Sequence, residues 1–65
     1  MKINAAKVRE LFERNRLTDK DAAKLTHLGL DTIKRIQVDD ARTTKYVIFA
    51  LMMAFNVTRE ELVVT

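Results

Sequence analysis

Between Leu17 and Ile36 the chain reads LTDKDAAKLTHLGLDTIKRI, and this stretch limits what the remainder can be. Apolar residues recur at helical spacing on both sides of a short polar break, which predicts a helix, a tight turn and a second helix. Thr18, with Asp21 three residues on, forms an acidic capping box that satisfies free amides and complements the helix dipole, and apolar Leu17 precedes it. Ala23 is the small residue where two helices must approach closely, and Leu28, Ile33 and Ile36 point back at that contact. Gly29 caps a second helix running from Leu30 to about Gln37. With Ile33 and Ile36 turned inward, Asp31, Thr32, Lys34 and Arg35 face outward. His27 is the only histidine and has no cysteine or paired carboxylate near it in sequence, so it is read as a turn residue at positive φ and not as a metal ligand or catalytic group.

The spacing of Ala23, Leu28, Ile33 and Ile36 resembles the helix-turn-helix of the lambda-repressor and Cro-like family, in which a core alanine is followed by an apolar turn residue and an Ile or Val pair. Thr26 and His27 depart from that pattern, which usually has a large apolar residue and a glycine there. The resemblance implies that the second helix enters the DNA major groove while the first lies across the backbone. It places base-edge contacts at Gly29, Leu30, Asp31, Lys34 and Arg35. Arg35 or Lys34 can donate to guanine, Asp31 can accept from cytosine N4, and Leu30 can touch a thymine methyl. It also places phosphate contacts at Thr18, Arg42, Thr43, Thr44 and Lys45, which offer cations, hydroxyls and a helix N-terminus. Asp39 and Asp40 oppose phosphate electrostatically and are expected to hold the loop by bonding to their own backbone.

A chain of 65 residues is one domain at most, residues 1–65, and its core has little stability to spare. No cysteine is present to staple it, and the lack of proline with only one glycine favours helices over strands and long loops. The expected fold is all-α, a bundle of about five short helices. Asn4, with Ile3 and Val8 around it, starts the first, whose inward face carries Val8, Leu11 and Phe12. Arg9 with Glu13 and Glu10 with Arg14 are placed to pair one turn apart, and Asn15 to end the helix in a left-handed conformation. Val57, Thr58, Glu61 and Leu62 repeat a staple and capping box for a short last helix, and the ending AFNVTREEL is similar to the family's closing turn and helix.

Thr44 caps a fourth helix that continues into ten consecutive apolar residues, YVIFALMMAF. The resemblance assigns Ile48, Leu51, Met52 and Phe55 to the core. Tyr46, Val47, Phe49, Ala50 and Met53 are then left on faces that related sequences keep polar, and a homodimer interface is expected to cover them. The alternative for Tyr46 to Phe49 is a Cro-type strand, given its β propensity.

The run is too short for a membrane span of roughly 20 residues, and the first residues lack the apolar segment of a secretory signal, so a cytoplasmic protein is expected. A net charge of +3 suits a polyanionic partner without requiring one. No nucleophile and base pair, metal cluster or glycine-rich phosphate loop is present, which argues against an enzyme, a cofactor or a small-molecule ligand. The sequence therefore predicts a sequence-specific double-stranded DNA-binding regulator, a homodimeric repressor on a palindromic operator. A protein-interaction module, such as the antitoxin of a toxin pair, is the alternative.

Overall fold

Four side-chain caps set where the helices of this chain begin. In the computed structural model, which describes residues 1–64, Asn4 Oδ1 accepts from the Lys7 amide at 3.1 Å and opens α1, Ala5–Arg14. Thr18 and Asp21 close a reciprocal capping box at the start of α2, Asp19–Thr26. The helix α3, Leu30–Arg35, follows Gly29 without a side-chain cap. Thr44 Oγ1 accepts from Val47 N and opens α4, Lys45–Phe55, and Thr58 with Glu61 repeats the capping box for α5, Arg59–Leu62. The architecture is all-helical, with five helices and no strand among the described residues. The Tyr46–Phe49 segment is helix.

Left-handed residues supply the turns. His27 at φ 62° ends α2, as expected, and Asn56 at φ 55° ends α4. The first turn differs by one residue. Asn15 keeps φ −93° while its Nδ2 donates to Leu11 O at 2.8 Å, and Arg16 takes the left-handed conformation at φ 54°. The asparagine side chain caps the last turn, so the next residue makes the bend.

One core binds the helices, formed by Ile3, Val8, Leu11, Phe12, Ala22, Leu28, Ile33, Ile36, Val47, Ile48, Leu51 and Leu62. Phe12 of α1 meets Phe55 of α4 at 5.7 Å between ring centroids, a tilted aromatic pair. The Cα radius of gyration, 10.2 Å, lies close to the roughly 10.7 Å that packing of a chain this long implies. The alanine with no solvent exposure is Ala22, while Ala23 is half-buried against the core edge. Thr26, placed where an apolar residue was expected, is buried with its hydroxyl fully used. Its Oγ1 donates to Ala22 O at 2.7 Å and accepts from Leu28 N at 3.3 Å, so the threonine ties the end of α2 to the turn.

Val47 was expected on the exposed stripe of α4 and instead lies in the core at 8% exposure. The inward arc of α4 spans Val47, Ile48 and Leu51, wider than one row, because Val47 also meets the side of the molecule formed by Ile36 and the 42–44 loop. The sequence carried no polar residue along this run to mark the boundary.

The first residues are also structural. Ile3 N donates to Ala41 O at 3.1 Å, Thr43 N to Met1 O at 2.9 Å, and Val64 N to Lys2 O at 2.9 Å. The N-terminal segment thus runs between the 41–43 loop and the C-terminal tail, forming an isolated bridge with each.

Replacing Ala22 with Leu should cost about 1–3 kcal/mol by overpacking, measured by denaturant unfolding. Exposed Lys24→Ala should stay within about 0.5 kcal/mol, and equal stability of the two variants would require a different rotation of α2. The Glu61 carboxyl is held below its ordinary pKa, first by the Thr58 backbone amide; desolvation opposes it as the next-largest effect, and the Lys7 charge, the Thr58 hydroxyl and the Arg14 charge add to the lowering. A lowered folded-state pKa stabilises above the unfolded value and is lost as pH falls through the folded one. Wild-type stability should therefore decline below about pH 4.3 more steeply than that of Glu61→Gln, as acid unfolding curves would show.

Candidate nucleic-acid interface

The turn between α2 and α3 is three residues, His27, Leu28 and Gly29, and only Leu28 is buried. Gly29 sits at φ −67°, and a Cβ there would meet nothing within 4 Å, so the fold does not itself demand glycine. What the missing side chain leaves is open space before α3. Ile33 and Ile36 anchor α3 in the core, and Asp31, Lys34 and Arg35 are exposed as the spacing predicts, with Leu30 and Thr32 half-buried. Gln37 fixes the far end of α3: its Nε2 donates to Ile33 O and to Asp19 Oδ1, both at 2.9 Å. Asp19 opens α2, so the two helices are tied at both ends.

Beyond α3, the loop from Gln37 to Thr43 is clamped from outside itself. Arg9 donates to Gln37 O and to Asp39 Oδ1, the latter at 3.2 Å, and Lys2 Nζ pairs with Asp40 Oδ1 at 3.0 Å. These partners differ from the local ones expected. Asp39 and Asp40 bond to cations of α1 and the N-terminal segment, not to their own backbone. Arg9 spends its guanidinium on the loop, not on Glu13, whereas Arg14 does pair with Glu10 as expected. The ion pairs offset both carboxylates where an anionic ligand would meet them, although exposed pairs of this kind add little stability.

Arg35 and Thr32 of α3, Arg42, Thr43 and Thr44 of the loop, and Val47 of α4 line one cleft of about 350 Å³. Three expected DNA contacts, Arg42, Thr43 and Thr44, thus share a concavity with the expected base reader Arg35. Thr43 Oγ1 is shielded from solvent and has no hydrogen-bond partner among the described residues, so the hydroxyl contact expected of Thr43 is not presented at the surface. Thr44 uses its own oxygen to cap α4. Two other expected contacts lie elsewhere. Thr18 has its hydroxyl engaged in the capping box, with Asp19 and Asp21 in the same first turn, an acidic helix start that disfavours phosphate. Lys45 lines a different cleft, with Tyr46, Ile48, Phe49, Met52 and Arg59.

On α4, Tyr46, Phe49 and Met53 are 68%, 61% and 71% exposed, forming the stripe expected from the sequence, while Ala50 is half-buried beneath it. Leu25 of α2, 47% exposed, joins this surface. Sequence reasoning missed it, although an apolar residue beside the buried position 26 was the available signal. These residues and His27 line a shallow cleft of about 480 Å³.

No family model matches this chain, and no curated protein or solved structure is found to be similar to it. Among the described residues, no cluster of His, Cys, Asp and Glu could hold a metal ion, and no helix is long and apolar enough to cross a membrane.

Proposed function

We propose that this protein is a sequence-specific double-stranded DNA-binding transcriptional regulator, a repressor that binds a palindromic operator as a homodimer. The observation that carries the reading is the juxtaposition of Arg35, on the exposed face of a core-anchored helix, with Arg42, Thr43 and Thr44 in one cleft. Such a surface matches a DNA duplex in chemistry. Lys34 and Arg35 can donate to guanine O6 and N7, Asp31 can accept from cytosine N4, and open Gly29 allows close approach of α3. Arg42, exposed beside α3, suits phosphate oxygens next to the groove. Asp39 and Asp40, paired with Arg9 and Lys2, oppose it less than their charges alone would.

Pairing follows from the second surface. Tyr46, Phe49, Met53 and Leu25 leave a contiguous apolar face that a small monomer rarely keeps in water, and a two-fold interface covers the same patch on both copies. Two bodies 27 Å in their longest dimension, set side by side, are of a size to span half-sites about 34 Å apart. One α3 alone presents too few base contacts for selective binding.

Selection of bound sequences from a random DNA library tests this directly, and a palindromic consensus is expected. Arg35→Ala should cost about 1–3 kcal/mol on that consensus and relax one base pair in each half-site. Arg42→Ala should weaken all DNA alike and flatten the salt dependence by about 0.9 per lost contact. An equal loss on every sequence for Arg35→Ala would remove it as a reader. Sedimentation at micromolar concentration should show a dimer, and Phe49→Glu should give monomers with much weaker operator binding. A wild-type monomer that binds the operator without pairing would overturn the dimeric reading.

A further inference from the structure

The helices α4 and α5 both begin with a cation, Lys45 and Arg59. At Lys45 the charge faces the positive end of the α4 dipole, an unfavourable placement, whereas α5 is a single turn in which Glu60 and Glu61 accompany Arg59. Neither has a carboxylate within pairing distance among the described residues, although Lys2, Lys7, Arg9 and Arg14 all do. Lys45 and Arg59 line one cleft of about 460 Å³ whose other walls include Ile48, Phe49 and Met52, and no acidic side chain lines it. The chain therefore gathers two cations that make no ion pair around an apolar concavity.

A second copy is a poor occupant. A two-fold contact centred on this cleft would bring Lys45 and Arg59 of each copy onto the same patch, like charge against like. The neighbouring cleft of Leu25, Ala50 and Met53 contains no lysine or arginine and is the better place for pairing. We propose that the Lys45–Arg59 cleft receives an acidic amphipathic helix of another protein. Its apolar residues at i, i+3 or i+4 and i+7 would fill the concavity, and its Asp or Glu residues would meet the two cations. Tyr46 and Phe49 line both clefts. A bound helix would thus withdraw them from pairing and release the operator, a regulatory consequence that rests on the dimeric DNA-binding reading.

The test is selection from a displayed library of random sixteen-residue helices on the full chain, without DNA. Enriched sequences should combine helically spaced apolar residues with Asp or Glu. A synthetic peptide of the enriched sequence should bind the Lys45→Glu/Arg59→Glu double variant at least tenfold more weakly than wild type, and Lys24→Ala, which lines neither cleft, within about twofold of wild type. Because the Lys45 and Arg59 side chains are exposed and make no ion pair within the fold, the double variant should keep a melting temperature close to wild type, which separates lost binding from lost folding. Neutral or basic enriched sequences, an unchanged affinity in the double variant, or tighter association with anionic phospholipid vesicles than with the peptide would each overturn the proposal. Sedimentation of wild type saturated with peptide should show monomers. A wild type already monomeric without peptide would fault the dimeric reading and leave the peptide affinity to judge the cleft.

Discussion

The fold depends on four residues of extended chain at its start. Met1 and Ile3 bond to the 41–43 loop, while Lys2 and Asn4 bond to Val64 and Leu62. Ile3, 1% exposed, fills the core beneath, and Lys2 holds Asp40 from the side. A chain of this length without cysteine has no covalent means of joining its C-terminal tail to its long loop. Backbone pairing through the N-terminal segment does so, and satisfies amides and carbonyls that a small core would otherwise leave unpaired. The consequence reaches the candidate interface, because the loop held this way carries Arg42, Thr43 and Thr44. Their position beside Arg35 is set by residues forty positions earlier in the chain.

The parts that could be read from the sequence are those decided within one helical turn. Asn4, Thr18, Thr44 and Thr58 all cap helices, because each competes only for amides two or three residues away. His27 and Asn56 take left-handed turns for the same local reason. Ile33 and Ile36 face inward and Lys34 and Arg35 outward because polar and apolar residues alternate at helical spacing there. In α4 that contrast is missing. Ten apolar residues in succession predict a helix but give no phase, so Val47 could be assigned inward only once its neighbours were in place.

Long-range polar contacts were illegible for a different reason. Arg9 has Glu13 one turn away, yet its partner is Asp39, thirty residues distant. Exposed helical pairs are worth only a few tenths of a kcal/mol, so any tertiary contact that also satisfies a backbone carbonyl can outcompete them. Arg9 gains the Gln37 carbonyl together with the Asp39 carboxylate. The candidate interface was therefore legible as a set of residues on α3 and the loop, but not as a clamped surface. The Thr18 capping box, legible from the spacing, already left that hydroxyl engaged, whereas nothing in the spacing revealed that Lys45 turns away from Arg42.

The start of α4 is where the separate surfaces meet. Thr44 lines the cleft beside Arg35, Lys45 and Tyr46 line the cleft toward Arg59, and Val47 returns to the wall of the first. Four consecutive residues thus serve both clefts, because successive side chains on a helix point about 100° apart. The same first turn is fixed by the Thr44 cap, and Val47 in the core resists rotation of the helix about its axis. On the proposed reading, an acidic helix at Lys45 and Arg59 competes for Tyr46 and Phe49 without having to deform the loop at Arg42 and Thr43. Regulation would then act on the pairing of two copies rather than on the shape of the DNA-facing cleft. The intact monomer would keep its weak, salt-sensitive hold on phosphate while losing the paired α3 helices on which operator selectivity depends.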